Sequence, residues 1–288
     1  MPETYTVSAR ASGVYRCFVI PTRFAEDRWV TKVEYAPGDR KLVHHILSYI
    51  DTTPAAEALD RADPGPGYSC FGGPGFTPAG GLSGWAPGNQ PRVTAEGVGM
   101  LLPKGANVVL QMHYNNDATE ARTDRTRVGL HFAKSPIDKR QRGIAVLNRT
   151  FTIPPGARRY EVRASLDGSA GAATSTPITI TPHMHLLGRE MKVTATYPDG
   201  TVRPLDLHRR LGLQLAGQRT RSRSRSRCRA ARASTWSRSS TTPPRTSVSR
   251  AVRRAPVSWG EGTTDEMAIV FIGVTVDGER IGWRPPAK

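Results

Sequence analysis

The chain has 288 residues and a formal net charge of +17, from 41 Lys and Arg against 24 Asp and Glu. Such a basic balance favours nucleic acid or an anionic surface as a partner, but fourteen of the Arg fall between Leu207 and Gly260, a window without acidic residues. Without that window 27 basic residues face 24 acidic ones, a net charge of +3, which is typical of an ordinary globular protein. No run of about 18 apolar residues occurs, which excludes a helical membrane span.

The first half of the chain consists of short segments rich in Val, Ile, Tyr and Phe, separated by turn residues. This pattern predicts strands. In chain order they are GVYRCFVIP (13–21), RWVTKVEYAP (28–37), KLVHHILSYID (41–51), GANVVLQMHYNN (105–116) and RTRVGLHFA (125–133). The Gly- and Pro-rich residues 63–91 lie between the third and fourth of these strands, and we expect them to form one long loop.

The second half repeats this organisation after about residue 136. The predicted strands are RGIAVLNRTFTIPPG (142–156), YEVRASL (160–166), PITITPHMHLLG (177–188), EMKVTATYPDGTVRPL (190–205) and EMAIVFIGVTVDG (266–278). Many short strands with Gly and Pro turns predict an all-β fold of sandwich or barrel type. We expect two such units in tandem, over residues 1–140 and 141–288.

Residues 207–255 interrupt the second unit. The window contains RTRSRSRSRCR (219–229), which resembles a disordered, RNA-binding Arg/Ser tail. A structureless insertion of this length within a compact domain is unusual, however. Trp236 is the only aromatic residue between Leu207 and Ser258, so no series of aromatic rings accompanies the positive charge. We therefore expect no nucleic-acid partner.

Five of the seven histidines fall into three short motifs. His183 and His185 are two apart on a predicted strand, where both imidazoles lie on one face and can share a metal ion. His44 and His45 are adjacent, so both reach one ion only at a strand end, a bulge or a twist. His113, on another strand, would complete a site of three imidazoles with that pair.

The spacing of the histidines identifies neither the metal nor the third ligand that would join His183 and His185. Each motif alone is compatible with ordinary strand histidines, as we expect for His131, and zinc competes with copper as the metal. No Cys is placed near these histidines and no HExxH motif occurs. A Met thioether is the candidate third ligand for the second pair if the metal is copper, because soft sulfur suits Cu(I).

Taken together and in order, four motifs resemble a known family. LVHHILSYID, VLQMHYNN, HMHLLGREM and GTTDEMAIVFI are similar to motifs of the copper type II, ascorbate-dependent monooxygenases, which include peptidylglycine alpha-hydroxylating and dopamine beta-monooxygenases. VYRCFVIP and GYSCFGGPG also fit, in the style of bacterial members. The resemblance covers nearly the whole chain except the Arg-rich window.

The resemblance implies two jelly-roll-like β-sandwich domains, each with one copper, on either side of an open cleft. His44, His45 and His113 would bind the electron-transfer copper. His183, His185 and Met267 would bind the catalytic copper, at which an unactivated C–H bond of a small organic substrate is hydroxylated with dioxygen and two electrons from a donor such as ascorbate. A related chain with a damaged second domain could instead bind copper without catalysis.

The resemblance also carries departures that concern the substrate. The amidating members have Arg, Asn and Tyr at the positions of Thr181, Ile269 and Phe271. A peptidylglycine is therefore an unlikely substrate, and we expect a less charged one. Ala268 stands where the animal enzymes have a Cys, so one disulfide of the second domain is lost.

Two of the three cysteines, Cys17 and Cys70, match a pair that is bonded in the animal enzymes, so the resemblance predicts this disulfide. A disulfide and copper are typical of an oxidising, extracytoplasmic compartment. The first residues lack a basic segment followed by an apolar one, so they do not form a signal peptide. We resolve this conflict with the expectation of a truncated N-terminus.

The family also leads one to expect a Trp-rich strand and an Asp-Asn-Ser turn within residues 207–255. Codons compatible with RRLGLQLA (209–216) and STTPPRT (240–246) encode sequences of that kind when they are read in other frames. We therefore interpret the window as a frameshifted translation, in which Cys228 is an artefact. A continuous in-frame codon run through residues 219–229 in the resequenced gene would contradict this hypothesis.

Overall fold

A computed structural model shows a chain dominated by β-strands, with one short helix among the residues that it describes. The all-β class predicted from the strand and turn pattern is confirmed. The described residues are 1–157, 159–167, 175–197, 199–209, 230–238, 255–262 and 264–286.

Two compact units divide the chain. The first contains Met1–Arg142 and the last residues from Glu279 onward, and the second contains Gly143–Gly278. In this division residues 279–286, which we assigned to the second unit from the sequence, group with the first unit. This segment pairs with the first unit because Ile137 and Trp283 exchange two backbone hydrogen bonds of 3.0 Å and the Glu279 carboxylate binds Arg142.

Eleven strands and the helix belong to the first unit. They are β1 (Tyr5–Val7), β2 (Val14–Pro21), β3 (Arg28–Ala36), β4 (Val43–Asp51), α1 (Ala55–Ala62), β5 (Tyr68–Ser69), β6 (Gly80–Trp85), β7 (Val98–Leu102), β8 (Asn107–Tyr114), β9 (Arg122–Asp124), β10 (Arg127–Phe132) and β11 (Lys139–Arg140). The helix begins where the buried Asp51 carboxylate accepts the amide of Ala56, which satisfies a donor of its first turn.

Two sheets enclose the core of this unit. One sheet has the order β5-β2-β8-β4-β6 and the other the order β10-β3-β7-β11. Alternate residues of the first sheet, such as Phe18, Ile46 and Leu110, point into the same apolar cluster as Val30 and Leu102 of the second. The residues between them in sequence therefore lie on the outer face of the five-stranded sheet. Three of the predicted ligands share that face.

The prediction of one long loop over residues 63–91 is wrong. Strand β6 lies inside it and pairs with β4 at the edge of the sheet. The glycines that indicated a loop instead allow close backbone approach, since a Cβ at Gly84 would lie 2.8 Å from the Ile46 carbonyl oxygen. Leu82 and Trp85 on the same strand are buried in the core and supply the apolar contacts.

Nine strands belong to the second unit, and the first of them begins one residue before it, at Arg142. They are β12 (Arg142–Leu147), β13 (Thr152–Ile153), β14 (Arg159–Asp167), β15 (Ser175–Met184), β16 (Gly188–Thr196), β17 (Val202–Arg209), β18 (Ala230–Arg238), β19 (Val257–Ser258) and β20 (Ala268–Val276). A three-stranded sheet with the order β12-β20-β15 and a four-stranded sheet with the order β14-β18-β16-β17 contribute to one core. Ile180, Met184 and Ile272 of the first sheet meet Met191 and Val193 of the second.

The Arg-rich window is less irregular than we expected. Strand β17 extends to Arg209 within it, and residues 230–238 form strand β18 between β14 and β16. RTRSRSRSRCR, with Cys228, and residues 239–254 lie outside the described residues.

Candidate metal centres

The first candidate centre lies on the outer face of the five-stranded sheet. Antiparallel pairing places Tyr15 of β2 opposite His113 of β8, and His113 opposite His45 of β4. Directly opposed residues point to the same side of a sheet. Three rings from three neighbouring strands therefore lie side by side, with His113 in the middle and only 2% exposed.

A bulge brings His44 to the same face. Val43 pairs with Tyr114 and His45 pairs with His113, so His44 is an extra residue in β4. Such a bulge redirects a side chain that would otherwise point to the opposite face. The sequence required a strand end, bulge or twist for both His44 and His45 to reach one ion, and the structure has a bulge there.

The three imidazoles converge through their Nδ1 atoms. The Nδ1 of His45 lies 3.3 Å from the Nδ1 of His44 and 3.3 Å from the Nδ1 of His113. One ring nitrogen carries either one proton or one lone pair, so it cannot form two good hydrogen bonds at once. One ion with bonds of about 2.0–2.1 Å and angles of about 105–110° would place its nitrogens at this spacing. The described residues of this group can therefore hold one metal ion.

Tyr15 supports this group, and sequence reasoning did not identify it. Its ring stacks on His113 with centroids 4.1 Å apart and planes inclined by 12°. Phe71 packs edge-on against Tyr15, with the ring centroids 5.2 Å apart. The sequence signal was present, because Tyr15 and Cys17 share one face of β2, but the register to His113 was needed to interpret it.

The predicted disulfide between Cys17 and Cys70 is confirmed, with a Cα–Cα distance of 5.8 Å. It fixes the segment that carries Phe71 over Tyr15. The amide of Gln111 donates a hydrogen bond of 2.8 Å to the Cys70 carbonyl, and the Cys70 amide bonds to the Tyr15 carbonyl. The disulfide therefore stabilises the aromatic layer next to the three histidines.

We expect Tyr15→Leu to weaken metal binding by the first group. Stacking of this kind contributes about 0.5–1.5 kcal/mol, which corresponds to about two- to tenfold in affinity. Competitive titration of Cu(II) against a chelator measures the change. Tyr15→Phe keeps the stacked ring and is the matched control, so equal losses in the two variants would contradict a role for stacking.

The second candidate centre lies at one end of the β15–β20 pair. His183 opposes Ile269 and Met184 opposes Ala268, and continuation of this register by one residue would bring Met267, which directly precedes β20, opposite His185. His183, His185 and Met267 are all buried, and the two imidazole centroids are 5.1 Å apart. Opposed and alternate residues share a face, so the register puts the three predicted ligands on the face opposite the core residues Ile180 and Met184.

The tautomer of His185 is set by a backbone carbonyl. Its Nδ1 lies 3.1 Å from the Asp265 carbonyl oxygen. A carbonyl oxygen can only accept, so Nδ1 carries the hydrogen and donates the hydrogen bond, and the lone pair is left on Nε2. This hydrogen bond is the type that orients metal-binding histidines. Burial lowers the pKa of His185, which favours the neutral ring that a metal requires.

Glu266 is a second residue that sequence reasoning missed. It is 3% exposed, and its carboxylate accepts hydrogen bonds from the backbone amides of His185 and Met267. Burial raises its pKa to about 7, while these hydrogen bonds act in the opposite direction. An acidic residue beside the Met was visible in the sequence, but nothing there indicated that its side chain would be buried.

Neither a protein-family model nor a curated protein matches this chain. Among solved structures, it is similar to the major capsid protein P2 of bacteriophage PM2, at 9% identity over 98% of this chain and 100% of that chain, with a TM-score of 0.32. A structure of infectious bursal disease virus, Gx strain, aligns at 12% identity over 98% of this chain and 72% of that chain, with a TM-score of 0.24. Similarities at these TM-scores carry no argument about this chain.

Proposed function

We propose that the chain is a copper-dependent monooxygenase that hydroxylates an unactivated C–H bond of a small organic substrate. The overall reaction is R–H + O₂ + 2 e⁻ + 2 H⁺ → R–OH + H₂O, with both electrons from an external donor such as ascorbate. The observation that carries the proposal is the group of three imidazoles in which His45 Nδ1 lies 3.3 Å from the Nδ1 of His44 and of His113, and which could hold one ion. In this proposal the two units are jelly-roll-like sandwiches with one copper each.

The donor set of the first group fits copper. Three imidazoles suit copper, zinc or nickel, whereas hard cations prefer oxygen ligands. The His113 ring is held by stacking on Tyr15, and pairing of β4 with β8 places the His45 backbone opposite it, so one ring is oriented before an ion arrives. This group would hold the electron-transfer copper.

The second group supports copper over zinc. Its candidate ligands are His183, His185 and the Met267 thioether, and soft sulfur favours Cu(I). When bound there, copper supplies the one-electron redox chemistry and the site of oxygen activation. The chain holds the His185 ring through the Asp265 carbonyl and presents Nε2 to the site.

The substrate class follows from the side chains beside the second group. By the register of β15 and β20, Thr181 opposes Phe271 and His183 opposes Ile269, so all four residues share the ligand face. Thr181 and Phe271 are half-buried and Ile269 is buried. A hydroxyl and two hydrocarbon side chains match a neutral, largely apolar substrate, because a carboxylate placed there would lose hydration without a charged partner.

A matched pair of probes tests this assignment. We expect copper- and ascorbate-dependent oxygen uptake with ethylbenzene to exceed that with 4-ethylbenzoate, which has the same C–H bonds and a carboxylate. Thr181→Arg should move the preference toward 4-ethylbenzoate by at least about tenfold, since a charge-assisted hydrogen bond is worth about 1.5–3 kcal/mol.

The controls for this pair are His183→Ala and an N-acylglycine, hippurate. Oxygen uptake that persists unchanged in His183→Ala would contradict catalysis at the second group. Hippurate turnover faster than that of ethylbenzene would contradict the neutral substrate class, and so would a preference of the unaltered chain for the carboxylate probe.

A copper-binding protein without catalysis is the second candidate. It is favoured by the difference between the groups, since in the described part of the chain three imidazoles approach one another at the first group and only two at the second. Such a protein would bind copper and show no increase in oxygen uptake when ascorbate and ethylbenzene are added together.

The disulfide supports an oxidising location. Bonds of this kind persist in the periplasm and outside the cell, so we propose an extracytoplasmic protein. Within the described residues, the one helix is too short to cross a membrane. Nucleic acid is not among the proposed partners, which are the substrate, dioxygen and the electron donor.

A further inference from the structure

Three consecutive residues, Asp265, Glu266 and Met267, connect the segment before β20 to the second candidate centre. The Asp265 carbonyl accepts from the His185 ring. The Glu266 side chain binds the His185 backbone, and Met267, a predicted ligand, donates its own backbone amide to the same carboxylate. The segment that leads into β20 therefore controls both the orientation of one imidazole and the position of the sulfur.

Glu266 makes the closest of these connections. One carboxylate oxygen, Oε1, accepts from the His185 amide at 2.5 Å and from the Met267 amide at 2.9 Å. The other oxygen, Oε2, accepts from the Leu187 amide at 2.7 Å. The backbone positions of the two ligands, some 80 residues apart in sequence, are thus joined through one atom.

This arrangement gives the carboxylate a positioning role and not a ligating one. Both oxygens already face backbone amides, and bonds of this length to a charged acceptor are strong. A buried carboxylate is unfavourable unless its hydrogen bonds are made. The chain turns just after His185, and a Cβ at Gly188 would clash with the Met184 side chain, so the turn itself leaves little room for adjustment.

We propose that Glu266 is the positioning residue of the second centre, which holds the His185 imidazole and the Met267 thioether at the separation that one ion requires. The inference rests on the proposed function, because it assumes a metal bound by His183, His185 and Met267. It adds a residue that touches neither metal nor substrate. Such supporting hydrogen bonds typically change metal affinity by about 10–100-fold when they are removed.

Three variants separate this role from a general effect on folding. Glu266→Ala removes every hydrogen bond of the carboxylate. Glu266→Gln keeps an oxygen that can accept from His185 and Met267 but turns an amide donor toward Leu187. Glu261→Gln, on the same loop, removes a charge five residues away and is the matched control.

The experiment is a titration of the full chain with Cu(I) against a chromophoric chelator, with X-ray absorption to detect sulfur ligation. The first centre serves as an internal reference. We expect the second binding step to weaken by at least about tenfold in Glu266→Ala, by less in Glu266→Gln and not in Glu261→Gln, with loss of the sulfur signal in Glu266→Ala. The first step should stay unchanged in all three variants.

The contrary outcomes are distinct. A second step of unaltered affinity and an unaltered sulfur signal in Glu266→Ala would overturn the positioning role. Equal weakening in Glu266→Ala and Glu261→Gln would do the same, because it would reflect charge alone. If the unaltered chain shows no second step that depends on His183 and His185, the proposed function itself fails.

Should Glu266→Ala unfold, as urea denaturation would show, the comparison of Glu266→Gln with Glu261→Gln decides. A second step equally strong in these two variants would then overturn the role, and one that is weaker only in Glu266→Gln would support it.

Discussion

His113→Ala should reduce bound copper from two ions to one per chain and abolish tight binding at the first centre. His113 is the central ring of the group, opposite His45 in the sheet and 3.3 Å from it through Nδ1. Removal of one of three ligands should weaken binding by more than the roughly 10–100-fold that outer hydrogen bonds contribute. Copper analysis after dialysis against a weak chelator measures the stoichiometry.

His131→Ala is the matched control for this loss. His131 also lies on a strand of the first unit, but its side chain is 48% exposed and contacts Glu34 at 3.3 Å. Copper content should be unaffected by its removal. Two ions retained in His113→Ala, or an equal loss in His131→Ala, would mean that the three converging nitrogens do not form the first centre.

Removal of the disulfide should cost the first unit about 4 kcal/mol of unfolding free energy. The bond joins Cys17 and Cys70, which are 53 residues apart, and in the chain-entropy model a loop of this length gives that stabilisation. The double variant Cys17→Ala/Cys70→Ala should therefore unfold at lower urea concentration. A loss of less than about 1 kcal/mol would show that the closed loop adds little to stability.

The same variant should weaken copper binding at the first centre. Cys70 fixes the segment that carries Phe71 against Tyr15, and Tyr15 stacks on His113. Reduction of the unaltered chain with dithiothreitol, which is removed anaerobically before Cu(I) is added because it binds copper itself, should reproduce both effects. The same treatment should change neither property of the double variant. An unchanged copper affinity in the double variant would show that the disulfide does not support the first centre.

The part of the fold that the sequence predicts best is the set of strands in which apolar residues recur between turn residues. LVHHILSY and LQMHYNN were correctly predicted as strands because β-branched and aromatic residues recur there between turn residues. The HH pair alone indicated that a shared ion requires a strand end, bulge or twist, and the bulge at His44 is one of these. The disulfide came from the resemblance and not from the residues themselves.

Other features depend on contacts that no local pattern records. Strand β6 was hidden because its glycines, which elsewhere mark loops, here let the backbone approach β4. Tyr15 needed the register between β2 and β8, and Glu266 needed the fold that buries it beside His185. Each is a long-range consequence of strand pairing, which sequence periodicity does not specify.

The measurement that tests copper-dependent hydroxylation most directly is isotope tracing. The copper-loaded chain is supplied with ¹⁸O₂, ascorbate and ethylbenzene, and the 1-phenylethanol formed is analysed by mass spectrometry. We expect one ¹⁸O atom per product molecule, and no product in His183→Ala or without copper. Product oxygen that derives from water, or product formed equally by His183→Ala, would contradict it, as would an absence of product from a chain that holds two copper ions.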